Sequence, residues 1–235
     1  MILAPAPAPP LAWLVERLQA AHAWRGWHWD AKTDAFEVCV GAILVQNTAW
    51  TNVEHALGAL RATGALSPTA MAALDEATLE ALIRPSGQYR QKARKLRAFL
   101  ATVEAAGGLE ALLALPAHEL RRLLLATWGI GPETADCIVL YAAGRPAVVV
   151  DAYTVRLLGR LGHGPGPAAG YAAWARWLGE RLPGDAAALG AFHAWVVLHC
   201  KHVCTKLRPA CQGCALRDVC AYGGGRIGRD DEPVS

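Results

Sequence analysis

The 235 residues carry 23 Lys and Arg against 20 Asp and Glu, a formal net charge of +3, and 54% of them are apolar. A chain of this size can form one domain or two around a sizeable helical core, and so small a charge does not by itself require a nucleic-acid partner. No stretch is apolar enough to cross a membrane and no export signal opens the sequence, so a cytoplasmic protein is expected and its seven cysteines do not read as a disulfide framework.

Residues 1–10 are rich in Pro and Ala and should be loosely held. A first helix is expected over Leu11–Trp24. The string AWRGWHWD follows, with Trp24, Trp27 and Trp29 crowded together, either as a core wedge or as an aromatic wall for a planar ligand. Phe36–Val45 reads as a strongly apolar helix. Gln46-Asn47-Thr48 follows, and Asn47-Thr48 is placed to cap a helix over Thr51–Arg61; Trp50 lies in the same turn. Ser67-Pro68 opens a short helix ending near Leu74. Asp75–Ile83 is another, stopped by Pro85-Ser86-Gly87. Gln88–Val103 carries Arg90, Lys92, Arg94, Lys95 and Arg97, a solvated face or a set of phosphate contacts. Gly107-Gly108 breaks the pattern, Leu109–Leu115 is a short helix, and Glu119–Trp128 repeats Leu120, Leu123, Leu124 and Trp128 at helical spacing.

Gly129-Ile130-Gly131 stops that helix. Two glycines around one apolar residue allow a tight reversal with uncovered backbone N–H groups. Pro132 suits the first position of a second helix, which runs through Glu133 to about Ala142. Its N-terminal N–H groups and partial positive charge suit a phosphate; the plainer alternative is a simple helix-to-helix turn. Downstream, the apolar run Ala147–Val150 ends at Asp151, a natural N-cap for a helix over Ala152–Leu161. The helix N-terminus favours the ionised carboxylate.

The last motif is Cys204, Cys211, Cys214 and Cys220, spaced C-x6-C-x2-C-x5-C. A structural zinc site more often shows two C-x2-C pairs, and four thiolates suit a [4Fe–4S] cluster; zinc is the alternative. Cys39, Cys137 and Cys200 fall outside the spacing and should be small buried groups. His193, His199 and His202, on the helix leading in, read as packed or surface residues. From Tyr222 on, the glycine-rich and then acidic tail should be disordered.

Together, the Gly129-Ile130-Gly131 hairpin, the run VVVDAYTVR around Asp151 and the cysteine spacing resemble the helix-hairpin-helix, Gly-Pro-Asp (HhH-GPD) superfamily of DNA glycosylases, on its endonuclease III branch. QNTAWTN at Gln46 is similar to the group within it that includes 3-methyladenine glycosylases. The resemblance covers residues 11–221. It implies an all-α, two-domain fold: a six-helix domain over 31–145 holding the hairpin, and a second domain made of 11–30 with 146–221 around the [4Fe–4S] cluster loop. It implies a monomer acting on damaged double-stranded DNA, with Asp151 catalytic in the interdomain cleft. Gly129, Ile130 and Gly131 would grip the strand, Gln46 would enter the minor groove, and Lys206 and Arg208 would reach phosphates from the cluster loop. Trp27, Trp29 and Trp50 would stack on the extruded base.

One departure matters. Bifunctional members carry a lysine two positions after the second hairpin glycine; here that position is Glu133. A carboxylate cannot form a Schiff base, and the sequence holds no lysine between Lys95 and Lys201. The expectation is a monofunctional glycosylase for alkylated purines such as 3-methyladenine, with Glu133 as an auxiliary candidate. The alternatives are an oxidised-pyrimidine or mismatch glycosylase and a DNA-binding relative without catalysis.

Overall fold

The computed structural model describes residues 10–22, 27–29 and 33–226. Its helices, in chain order, are α1 (Leu11–Ala21), α2 (Ala35–Leu44), α3 (Trp50–Ala62), α4 (Pro68–Ala73), α5 (Glu76–Ile83), α6 (Tyr89–Ala105), α7 (Leu109–Ala114), α8 (Ala117–Ala126), α9 (Pro132–Cys137), α10 (Ala152–Arg160), α11 (Tyr171–Gly179), α12 (Ala186–His202) and α13 (Ala221–Arg226). No strand occurs among the described residues. No helix among them is long and apolar enough to cross a membrane. The chain divides into two compact units, one of residues 28–147 and one of residues 1–27 with 148–235.

In the 28–147 unit, α2 is buried on nearly every side, from Val38 to Leu44. A helix that is apolar all round belongs at a centre. Asp34 caps it, accepting from the N–H groups of Phe36 and Glu37. Its C-terminal end is held by Lys92, which is only 1% exposed. The Lys92 ammonium donates to the Leu44 carbonyl at 2.8 Å and the Ser86 carbonyl at 2.6 Å. Cations near a helix C-terminus satisfy carbonyls that have no partner within the helix. Lys92 is therefore not a phosphate contact, contrary to one reading of its charge run. Arg97 is spent similarly, donating to the carbonyls of Met71, Ala72 and Leu74 at the end of α4.

The expected cap at Asn47-Thr48 is not found. Asn47 is left-handed at φ 56, α3 starts after Ala49 without a side-chain cap, and the Thr48 hydroxyl accepts from Asn52 instead. Asp151 caps its helix as expected, and Ser67 and Asp75 cap α4 and α5.

In the other unit, Leu14 and Leu18 of α1, Leu158 of α10, Trp174 of α11 and Val196 of α12 form one core, each fully buried. Here α12 takes the central place, buried from Leu189 to Cys200. The 148–150 segment is extended and pinned by Tyr171, whose hydroxyl accepts from Val150 N–H at 3.4 Å and donates to the Val148 carbonyl at 3.2 Å. That brace delivers the chain to Asp151. The tail expected from Tyr222 instead begins with α13, where Tyr222 packs beneath the Arg160 guanidinium at 4.3 Å. Trp24 and the termini, 1–9 and 227–235, lie outside the described residues.

Candidate functional site

The hairpin is built by a β-turn. Ile130 N–H bonds the Thr127 carbonyl at 3.1 Å, and Gly129 stands third in the turn at φ 82. A β-turn with a positive φ at that place has the type II pattern, which favours glycine there. Ile130 is buried and anchors the loop. Gly131, at φ −91, caps α9, and Pro132 takes its first position. Glu133 lies exposed in that first turn. The helices on either side are tied by Arg121, which forms a bidentate pair with Asp136 at 2.7 and 3.1 Å. Arg121 thus braces the motif. After Cys137 the helix widens into a π-turn over Ile138–Ala142.

Helix α8 ends at Ala126, two residues earlier than its apolar spacing predicts. Trp128 therefore leaves the helix and the core. It sits second in the β-turn and is 49% exposed.

Gln46 does not present a free amide to DNA. Its Nε2 donates to the Gly129 carbonyl at 3.3 Å and to the Thr134 hydroxyl at 2.9 Å. Its Oε1 accepts from the Lys95 ammonium. The stem of Lys95 lies against Gly129, where a Cβ would meet its Cδ and Cε at 2.9 Å and its Cγ closer still. Gln46 and Lys95 thus dock the hairpin onto the rest of its unit.

The three tryptophans divide between the two units. Trp29 is 6% exposed and serves as core, edge-on to Trp50 at 5.5 Å and tilted against Tyr141 at 5.1 Å. Its place next to Gly41, where a Cβ would approach both Trp29 and Trp50 within 3.4 Å, shows that the pair packs on α2. Trp50 is half-buried, with His28 stacked on one face at 3.5 Å. Trp27, also half-buried, belongs to the other unit and stands edge-on to His193 at 5.5 Å.

Asp151 caps α10. Its Oδ1 accepts from the Thr154 N–H at 2.7 Å and the Thr154 hydroxyl at 2.8 Å. Its Oδ2 faces His193 Nε2 at 3.6 Å, and its side chain is 11% exposed. Burial pushes the carboxyl pKa up, but the His193 imidazole and the two Thr154 donors outweigh it, and the net shift is downward. The result is a nearly buried carboxylate held ionised. The Thr154 partner was legible in the sequence, since a cap bonds the residue three positions on. His193 was not: it comes from α12, far along the chain, and only packing brings it to Asp151.

Cys204, Cys211, Cys214 and Cys220 line one cavity, closed by Leu157, Leu161 and Leu216. Leu216 N–H points at Cys214 Sγ and Gly223 N–H at Cys220 Sγ, both at 3.4 Å. Arg160 reaches Cys204 Sγ at 3.1 Å. Donors aimed at sulfur suit thiolate ligands. Among the described residues, no three Cys, His, Asp or Glu side chains converge where a single ion would bind. Cys39, Cys137 and Cys200 are buried, as expected, and Cys200 lies against Cys204. Arg156 and Arg160, one helical turn apart on α10, donate to the carbonyls of Cys200, Cys204, Thr205 and Lys206 and hold the loop in place. That spacing was readable, but what it would hold was not, because the loop carbonyls reach α10 only through packing. Lys206 and Arg208 project from the loop and are exposed.

The residue pattern of the HhH-GPD superfamily of base excision DNA repair proteins matches residues 40–172. A Methanocaldococcus jannaschii protein assigned as a DNA repair glycosylase is 40% identical over 195 residues, covering 82% of this chain and 87% of its own. Endonuclease III of Treponema pallidum is 32% identical over 193 residues, covering 82% and 85%. Among solved structures, a non-covalent endonuclease III–DNA complex superposes with a TM-score of 0.80 at 22% identity, covering 93% of this chain and 97% of that one. The Helicobacter pylori 3-methyladenine DNA glycosylase bound to 1,N6-ethenoadenine gives 0.71 at 23% identity, covering 85% and 100%. At these identities the two structures speak for the fold.

Proposed function

This chain belongs to the HhH-GPD superfamily of base excision DNA repair proteins, a family of DNA glycosylases, and from that premise we propose a monofunctional enzyme that hydrolyses the N-glycosidic bond of alkylated purines. The observation that carries the reading is the state of Asp151: nearly buried, yet held as a carboxylate by Thr154 and His193. As the bond between sugar carbon C1′ and the base lengthens, the electron pair leaves with the base and the sugar turns cationic. A fixed negative charge beside it lowers that barrier. Water adds its oxygen to C1′, the carboxylate takes the released proton, and a cationic alkylated base, having taken the bond's electron pair, departs neutral. A cationic base such as 3-methyladenine is already a good leaving group and needs little acid catalysis. It also suits the half-buried indole of Trp27, which stands beside His193 in the unit that holds Asp151, since aromatic faces attract cations.

Glu133 supports the monofunctional assignment. It occupies the position of the Schiff-base lysine in bifunctional relatives and cannot form that adduct. Gly129 and Gly131 shape the hairpin that binds the strand, and Lys206 and Arg208 add phosphate contacts.

The four loop cysteines fit a [4Fe–4S] cluster. They line one apolar cavity, and the sulfurs of Cys204, Cys214 and Cys220 accept hydrogen bonds. When bound, the group cross-links the loop that carries Lys206 and Arg208. The enzyme would act as a monomer.

A panel of duplexes, each holding one lesion and treated with alkali after incubation, tests the activity. Release of alkylated purines that Asp151→Asn abolishes supports the reading. Release only of oxidised pyrimidines or mismatched bases overturns the substrate class. Tight binding with no release across the panel overturns catalysis. Borohydride added during turnover should trap no covalent complex; a trapped species would refute the monofunctional mode.

A further inference from the structure

We propose that Arg94, laid on the exposed indole of Trp128, forms a phosphate-binding site that extends the grip of the hairpin along the DNA backbone. The inference rests on the reading that the hairpin faces DNA. It is carried by side chains neither the fold nor the catalytic arrangement uses. Trp128 adjoins Gly129 directly, at the outer corner of the β-turn, and is 49% exposed. It is one of three large apolar side chains so exposed among the described residues. A tryptophan is costly to leave in water, and nothing in the packing of α8 requires one here.

The Arg94 guanidinium lies over this ring, 4.8 Å from its centroid. Among the described residues Arg94 has no carboxylate within ion-pair distance. Its neighbours on α6 differ: Lys92 is committed to two carbonyls, Lys95 to Gln46, Arg97 to the end of α4, and Arg90 pairs with Glu80 at 3.7 Å. A guanidinium stacked by its face keeps its edge donors for a ligand, and their fork matches a phosphate. The two side chains line an open cavity of about 340 Å³ together with Arg97 and Glu76. With two arginines against one glutamate the cavity is net positive. An anion on the same strand as the hairpin is the occupant its charge and position select.

The test measures binding of a 20-base-pair duplex with a central tetrahydrofuran abasic analogue, by anisotropy, across a series of salt concentrations. Loss of one phosphate contact should lower the slope of log K against log salt by about 1 in Arg94→Ala. Arg94→Lys should keep the slope but bind several-fold more weakly, because lysine loses the planar fork and the stack. Trp128→Ala should weaken binding several-fold alone and add nothing in the Arg94→Ala background. A wild-type slope retained by Arg94→Ala, or additive effects of the two alanines, overturns this site while leaving the DNA-binding reading intact. Wild-type protein with no salt-dependent binding overturns both.

Discussion

Replacing Gly129 with alanine tests whether the hairpin is held by the contacts described. The residue stands at φ 82, where an L side chain costs about 1–2 kcal/mol. The new Cβ would also press on the Lys95 stem at 2.9 Å and less. Lys95 is tethered to Gln46, so it cannot swing away without releasing that bond. Overpacking of this kind adds about 1–3 kcal/mol. Together Gly129→Ala should lose about 2–5 kcal/mol. Gly131→Ala is the internal control: its φ is −91 and a Cβ there meets nothing within 4 Å, so its effect should stay within about 0.5 kcal/mol. In a Lys95→Ala background the steric part vanishes and only the backbone part remains. The double-mutant cycle should therefore show a coupling of about 1 kcal/mol or more. Urea unfolding followed by circular dichroism measures the wild type and the four variants. Equal midpoints for the two glycine variants, or a cycle with no coupling, would refute the docking of Lys95 on the hairpin.

Four further outcomes follow from the same geometry. In His193→Ala the Asp151 carboxyl loses the partner that helps hold its pKa down, so the acidic limb of the pH–rate profile should move to higher pH, with kcat falling about tenfold for the lost electrostatic partner; an unmoved limb rejects the partnership. Installing an amine by Glu133→Lys should permit a borohydride-trapped DNA adduct, and failure to trap would place residue 133 away from the sugar. Burial, with Lys95 beside it, lowers the Lys92 pKa from 10.5 to about 8. Between those values the unfolded chain binds the extra proton, so stability rises with pH across pH 8 to 10.5, by at most about 3 kcal/mol. Lys92→Met removes this rise, and parallel stability curves for the two proteins would refute it. Cys214→Ser should lower bound iron and the visible absorption of the purified protein while leaving zinc content unchanged; stoichiometric zinc in colourless wild-type protein contradicts the cluster.

The sequence alone determined what depends on neighbours in the chain. Caps at Asp34, Ser67, Asp75, Asp151 and Asp185 work over three residues, so composition and spacing suffice for such features. The turn at Gly129 and the cysteine spacing are equally local, which is why the hairpin could be read, and a resemblance that implies the all-helical fold drawn, from the sequence alone. Tertiary structure decided how charge and aromatic surface are used. Lys92, Arg97 and Arg121 look like free cations in the sequence. Packing commits each to buried carbonyls or to Asp136, because helix ends and buried carboxylates require partners. Trp29 becomes core and Trp128 becomes surface although both sit in similar apolar strings, because one faces α2 and the other lies past the last turn of α8. The approach of His193 to Asp151 joins residues from α12 and the start of α10. A contact between side chains so far apart along the chain exists only once the core between them has formed.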